Sequence, residues 1–208
     1  MVHVLEKKER RLGEKLLLKG DRCSGPKCAL IRRGYPPGIH GKKKGRRRGS
    51  SEYKQLLNEK QKIRFLYGLD DRDMEQYSKK AASRSGIFSS NLTRLLERRL
   101  DNTVFRLGLA VSRHNARQLV GHGHVLVNSK TVNIPSFQVK KDDLISLKES
   151  SLKSDLFRDL EMRLKKYEAP AWLSLDKNKK VGKVVGLPEN ENVGAVADIT
   201  KIKEFYSR

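Results

Sequence analysis

Residues 91–148 read NLTRLLERRLDNTVFRLGLAVSRHNARQLVGHGHVLVNSKTVNIPSFQVKKDDLISLK, and this stretch decides the fold. Leu92, Leu95, Leu96, Leu100, Val104 and Leu107 recur at three- and four-residue spacing, which predicts one amphipathic helix over 91–107, ended by Gly108. Ser112 offers a hydroxyl to the unpaired amides of a second helix, Arg113 to about Val120. The period then switches from helical to alternating. Val125 and Val127, the two-residue turn Asn128-Ser129, then Val132 and Ile134 predict a hairpin. Phe137 and Val139, a turn at Lys141-Asp142-Asp143, and Leu144 to Leu147 predict a second strand pair. Helices followed by two strand pairs make this segment a compact α+β unit.

Working outward, Ser51 caps a helix in which Tyr53, Leu56, Leu57, Lys60, Ile63, Arg64 and Tyr67 repeat at helical spacing, with Gly68 at its end. A further helix is predicted from about Asp70 to Ser85, with Asp70, Asp71 and Asp73 in the first turn, where the helix dipole favours acids. Ahead of these, residues 1–48 carry 16 basic and 4 acidic side chains. The same region holds Gly34-Tyr35-Pro36-Pro37-Gly38 and the glycines at 41, 45 and 49, which disfavour long regular elements. It reads as a basic, loop-rich lobe. On the other side, Leu152, Leu156, Leu160 and Leu164 repeat every four residues and predict a helix ending before Pro170. The tail that follows carries Trp172, Leu173, Leu175 and the terminal Phe205-Tyr206, apolar groups that need a partner; the N-terminal lobe is the nearest candidate. The organisation expected is therefore α+β: a mainly helical basic lobe over 1–90, completed by the tail 165–208, and an α+β domain over 91–164.

Charge sets the function class. Lys and Arg total 46 against 24 Asp and Glu, a net charge of +22 on 208 residues, and such a field seeks polyanions. No apolar run approaches the roughly 20 residues of a spanning helix, so membrane insertion is not expected. The apolar start Met1 to Leu5 is too short for a signal peptide, which implies a cytoplasmic location. Two cysteines, Cys23 and Cys28, make no disulfide framework. Aromatics at 6% are too sparse for a protein that stacks on single strands. The run Lys42-Lys43-Lys44-Gly45-Arg46-Arg47-Arg48 repels itself in isolation and is read as ordering against phosphate, the alternative being a solvated linker.

Three groups of residues carry a resemblance. The pattern Arg99-Leu100-Asp101-Asn102, Arg106-Leu107-Gly108, Ser112-Arg113, Ala116-Arg117-Gln118-Leu119-Val120, His122-Gly123-His124 and Val127-Asn128 resembles the S-four RNA-binding domain. Pro36-Pro37-Gly38-Ile39-His40-Gly41, Tyr53, Glu59 to Arg64 and Tyr67-Gly68, together with the terminal Phe205-Tyr206-Ser207-Arg208, look like the small-subunit ribosomal protein S-four family, and the likeness spans nearly the whole chain in order. That resemblance implies a structural protein with no catalysis. It would be a primary binder of 16S ribosomal RNA, gripping a multi-helix junction of the 5′ domain and nucleating the body of the 30S subunit. It also implies contact with ribosomal protein five, linked to translational accuracy, and with neighbouring small-subunit proteins, close to messenger RNA at its entry channel.

The residues expected at RNA are Arg10, Arg11, Lys42, Lys43, Lys44, Arg46, Arg47, Arg48, Lys60, Lys62, Arg64, Arg98, Arg99, Ser112, Arg113, Arg117, Gln118, His122, His124 and Lys130. RNA duplex is recognised by shape, through phosphates and 2′-hydroxyls, which suits long cationic arms. Arg113 and Arg117 lie four apart on one helical face, and an arginine forks two hydrogen bonds to one phosphate where lysine acts as a point charge, so these two rank first. Gln118, His122 and His124 are read equally well as cap and turn residues. Many bacterial members of the family hold zinc with four cysteines; Cys23 and Cys28 match the second pair, while Glu6 and Glu9 stand where the first would fall. With half of the ligand set missing no metal is expected, the alternative being a degenerate zinc site on Cys23 and Cys28 helped by His3; salt bridges and RNA are expected to fix the lobe instead. Ser129 departs from the glycine usual in the hairpin, where a positive φ is harder for serine.

Two other functions are weighed. An RNA-modifying enzyme carrying an S-four module needs a catalytic domain, and no nucleophile-base pair or phosphate-cradling glycine loop stands out here. A general basic nucleic-acid protein would bind every polyanion alike, with affinity falling steeply in salt.

Overall fold

Turn-forming residues confine most of the N-terminal region to short elements, yet the chain begins with a helix of eleven residues that the turn-rich composition conceals: α1 (Val2–Leu12), followed by α2 (Asp21–Ser24), α3 (Ala29–Arg32) and a 3₁₀ turn at Ile39–Lys42. The computed structural model describes residues 2–42, 51–188 and 197–207, with the side chains of residues 2–4 outside the description. Beyond the lobe, Ser51 Oγ accepts from the Lys54 amide at 3.4 Å and opens α4 (Glu52–Leu66), and Asp70 Oδ1 accepts from the Asp73 amide at 2.7 Å and opens α5 (Asp71–Ala82).

The predicted helix over 91–107 is two helices, α6 (Phe88–Glu97) and α7 (Leu100–Arg106). The break at Arg98-Arg99 has a cause distant in sequence. The loop around 135–139 sends carbonyls to the start of α7: the Leu100 amide donates to Phe137 O at 2.8 Å and the Asp101 amide to Pro135 O at 3.2 Å. Arg99 turns extended there and bridges Gln138. The stretch Phe137–Val139, expected as a strand, serves as this plug instead.

Ser112 Oγ accepts from the Asn115 amide at 3.2 Å and opens α8 (Arg113–Gly121), as expected. The hairpin follows, with β1 (Val125–Val127) and a short β2 (Lys130–Thr131) joined by Asn128-Ser129. Both turn residues take positive φ, 50° and 66°, the two-residue geometry that matches strand twist, so serine at 129 holds the turn without widening it. Next come β3 (Leu144–Leu147), α9 (Glu149–Leu152) and α10 (Leu160–Lys166). The single helix expected from the four-leucine repeat is thus broken, with a 3₁₀ turn at Asp155–Phe157 between its pieces; Leu160 and Leu164 are buried and Leu156 is exposed.

The last strands, β4 (Leu173–Asp176) and β5 (Val181–Val184), complete a five-stranded sheet of order β2-β1-β3-β5-β4, antiparallel throughout. The chain closes with α11 (Ile199–Ser207). The chain divides into two units, residues 1–89 with 191–208, and residues 90–190. This corrects the expected boundary. Residues 165–188 belong with the central domain, since β5 pairs with β3 and Trp172, Leu173 and Val184 are buried in the same core as Leu107, Val120 and Ile145. From the tail, α11 packs on α4, where Phe205 meets Tyr53 with ring centres 5.9 Å apart, and the Asp198 amide just ahead of α11 donates to Glu59 Oε2 at 2.9 Å. In the central core, full burial of a side chain such as Leu107 or Ile145 contributes about 1.5–3 kcal/mol. Gly182 is required by that core: a Cβ on it would lie 2.4 Å from the Leu107 methyl carbons.

Candidate nucleic-acid interface

The surface best suited to phosphate is built at the corner where α7 meets α8. Helical spacing puts Arg113 and Arg117 on one face of α8 beside exposed His114 and Gln118, and packing of Ala116, Leu119 and Val120 into the core fixes which face that is. Beneath it lies Glu97, whose side chain is 3% exposed. Its two oxygens accept from Arg106 Nε and Nη2, both at 2.9 Å. Asn102 relays the arrangement: its Nδ2 donates to Glu97 Oε2 at 2.8 Å, and its Oδ1 accepts from Arg113 Nε at 2.8 Å. Arg113 also lies 4.6 Å from the centre of the Phe105 ring and within 3.9 Å of Glu97. Tyr167 donates its hydroxyl to Arg106 O at 2.9 Å, and burial raises the pKa of that phenol, with the two arginines pulling the other way.

Around this corner, His122 and His124 stack with ring centres 6.1 Å apart, and His124 Nδ1 is 2.9 Å from Ser151 Oγ. His122 is exposed, as is Lys130 on the hairpin. Ser112 is buried and its hydroxyl is the α8 cap, so its contribution is to hold the helix start. One expected contact is corrected and a second is anchored. Arg99 is 1% exposed, its Nε and Nη2 donating to the two oxygens of Asp101 at 3.0 and 2.6 Å, which makes it a core residue with no face for phosphate. Arg98 Nε donates to Val139 O at 2.8 Å, which ties it to the plugging loop while leaving it half-buried.

In the N-terminal lobe the outcome is mixed. Arg10 Nε donates to the carbonyls of Arg33 and Tyr35, and its guanidinium lies 4.9 Å from the Tyr35 ring centre, while Arg11 and Lys42 are exposed. Lys60 and Lys62, 8% and 9% exposed, are corrected from RNA contacts to internal ion pairs. Lys60 binds Asp71 at 2.9 Å, and Lys62 binds Glu14 and Glu59 at 2.7 and 2.8 Å. Burial lowers the Lys62 pKa but the two carboxylates outweigh it, so the net shift is upward. Arg64 pairs with Asp71 as well. Lys43, Lys44, Arg46, Arg47 and Arg48 lie outside the described residues.

The family's zinc does not fit here. Cys23 and Cys28 are buried and free, and burial raises the Cys23 thiol, which opposes the thiolate a metal needs. Glu9, 2% exposed, is committed to the amides of Leu16 and Leu18 at 3.0 and 3.2 Å, with Cys23 Sγ 3.8 Å from its other oxygen. Glu6 binds Lys19 and Arg22, each at 3.0 Å. Among the described residues no group of three or more metal-ligating side chains comes together; the side chain of His3 lies outside them. The carboxylates at the first-pair positions thus tie α1 to the following loop.

Sequence reasoning missed Glu97, Asn102 and Phe105. One signal pointed at Glu97, an acid within an apolar helical stripe and immediately before two arginines; its pairing with the more distant Arg106 and Arg113 was hidden by the helix break.

Comparison with known proteins agrees with this construction. Residues 3–97 match the model of the "Ribosomal protein S4/S9 N-terminal domain" and residues 98–145 that of the "S4 domain". Relatives named "Small ribosomal subunit protein uS4" align over 199 residues, covering 96% of this chain and 94% of theirs: 47% identical in Syntrophomonas wolfei, 48% in Desulforamulus reducens and 45% in Thermus thermophilus. Among the described residues no helix is long and apolar enough to cross a membrane. An arginine-faced helix on a small antiparallel sheet, a separate basic helical lobe and likeness along nearly the whole chain converge: this chain belongs to the uS4 family of small-subunit ribosomal proteins, structural constituents of the ribosome and not enzymes.

Proposed function

We propose that the chain is a primary binder of 16S ribosomal RNA in the cytoplasm, gripping a multi-helix junction of the 5′ domain and nucleating assembly of the 30S body. In the assembled subunit it contacts ribosomal protein five and neighbouring proteins, lies near messenger RNA at its entry, and contributes to translational accuracy. The observation that carries this reading is the α8 corner, where arginines are held on a rigid frame in a chain of net charge +22 that belongs to a ribosomal family. A fixed array of forks reads the spacing of phosphates, and so the shape of folded RNA, where a diffuse charge reads only its density. The RNA contacts belong to Arg10, Arg11, Lys42 to Lys44, Arg46 to Arg48, Arg98, Arg113, Arg117, Gln118, His122, His124 and Lys130. The tightly paired lysines of α4 are internal. Equilibrium competition at physiological salt tests the proposal: junction RNA is expected to displace a labelled copy of itself far better than scrambled duplex RNA or DNA does. Equal displacement by all three would reduce the protein to a general polycation.

A further inference from the structure

We propose that the buried carboxylate of Glu97 is a positioning residue, which holds the Arg106 and Arg113 guanidiniums as one rigid phosphate-binding pair; the proposal rests on the RNA-binding reading above. The order of burial is the first support. Each of the two arginine side chains keeps 17% of its surface exposed while the carboxylate beneath keeps 3%, so the cations are layered over the anion. The second support is the number of independent constraints. Arg106 is gripped through Nε and Nη2 at 2.9 Å each, and Arg113 through Asn102 at 2.8 Å and the Phe105 ring at 4.6 Å. Asn102 is itself fixed at both ends of its amide, donating to Glu97 and accepting from Arg113. Two guanidiniums on one carboxylate leave the group a net single positive charge, so an anion is still attracted. A long side chain immobilised before binding loses little rotamer freedom on meeting phosphate, which is where preorganisation raises affinity.

A purely fold-stabilising glutamate and a positioning glutamate predict opposite signs for Glu97→Gln. The substitution raises net charge by one, so diffuse electrostatics makes RNA binding as tight or tighter. Glutamine, however, has one acceptor oxygen and a donor amide, and the amide must face either Arg106 Nη2 or the pair Arg106 Nε and Asn102 Nδ2, all donors, so at least one grip is lost whichever way it turns. Positioning therefore predicts weaker binding despite the added charge.

The experiment uses the full chain, with folding followed through the single tryptophan, Trp172, and RNA affinity measured well below the unfolding transition across a salt series. For Glu97→Gln, affinity for junction RNA is expected to fall on the order of tenfold and the slope of log K against log salt to flatten by about 0.7 to 0.9, one phosphate contact. Arg113→Lys, which keeps the charge and loses the fork, is expected to fall severalfold, and the double variant to lose little beyond either single one. Affinity of folded Glu97→Gln equal to or above that of the wild type would overturn the proposal. Should Glu97→Gln fail to fold, Arg113→Lys decides: weaker binding supports the rigid pair, unchanged binding overturns it. If wild-type protein does not prefer junction RNA to scrambled duplex, the parent reading has failed; if it does and Glu97→Gln binds equally well, only this proposal has.

Discussion

Arg99→Met separates a core cation from an RNA contact. The guanidinium and the Asp101 carboxylate have 2% and 5% of their side-chain surface exposed and are joined at 3.0 and 2.6 Å, so methionine fills most of the volume but strands a carboxylate away from water. Breaking a buried pair from one side costs about 3–5 kcal/mol, because the remaining charge is uncompensated. The unit spans residues 90–190, a size at which each kcal/mol moves the transition by about 4–8 °C, so the Tm is expected to fall by at least about 12 °C. Trp172 fluorescence reads this unit alone, since it holds the only tryptophan. The double variant Arg99→Met/Asp101→Asn removes the stranded charge while leaving an oxygen for the Asn102 amide, which Asp101 Oδ1 now serves at 2.8 Å, and should regain a large part of the loss. RNA affinity of the folded double variant should match the wild type. A transition left within about 2 °C by Arg99→Met, or weaker RNA binding without lost stability, would refute the assignment of Arg99 to the core.

Three further outcomes follow from the same structure. Arg117→Ala is expected to weaken junction-RNA binding by about 1–3 kcal/mol through a lost charge-assisted contact, more than alanine at any one lysine of 42–44, in equilibrium titration; equal losses would demote α8. Gly182→Ala pushes a methyl group into the fully buried Leu107 and should destabilise residues 90–190 by about 1–3 kcal/mol in urea, with an unchanged midpoint counting against the packing described. Burial alone raises the Glu6 pKa, but hydrogen bonds and charges from Lys19 and Arg22 prevail and set it below the ordinary 4.5. A depressed carboxyl pKa stabilises the folded state above the unfolded value and is lost as pH falls through the folded one, so the lobe should loosen below about pH 4.5, and Glu6→Gln should remove that part of the acid sensitivity seen by far-UV circular dichroism.

Much of the fold is legible where the signal is local. The caps Ser51 and Ser112 and the turn Asn128-Ser129 appear where expected because each is set by side chains within a few residues, while Asp70, expected in the first turn of α5, is its cap. The break at Arg99 is not legible, since the carbonyls that make it come from Pro135 and Phe137. Nor is the β4–β5 hairpin, whose lysine-rich connection Lys177 to Lys180 gave no turn signature and whose apolar residues were credited to the wrong partner. The interface divides in the same way. Arg113 and Arg117 follow from helical spacing, whereas Lys60, Lys62 and Arg99 look the same in sequence whether they face solvent or a carboxylate. For the two lysines, the partners Asp71 and Glu14 are brought up by the packing of the lobe.

Crosslinking of the tagged chain inside assembling small subunits, with both the peptide and the nucleotide mapped, tests the central claim most directly. The account predicts that crosslinked peptides cluster on residues 113–130 and that the nucleotides fall at one junction of the small-subunit RNA. Nucleotides scattered over unrelated RNAs, or a chain whose α8 face yields no crosslink while the subunit assembles normally, would contradict it.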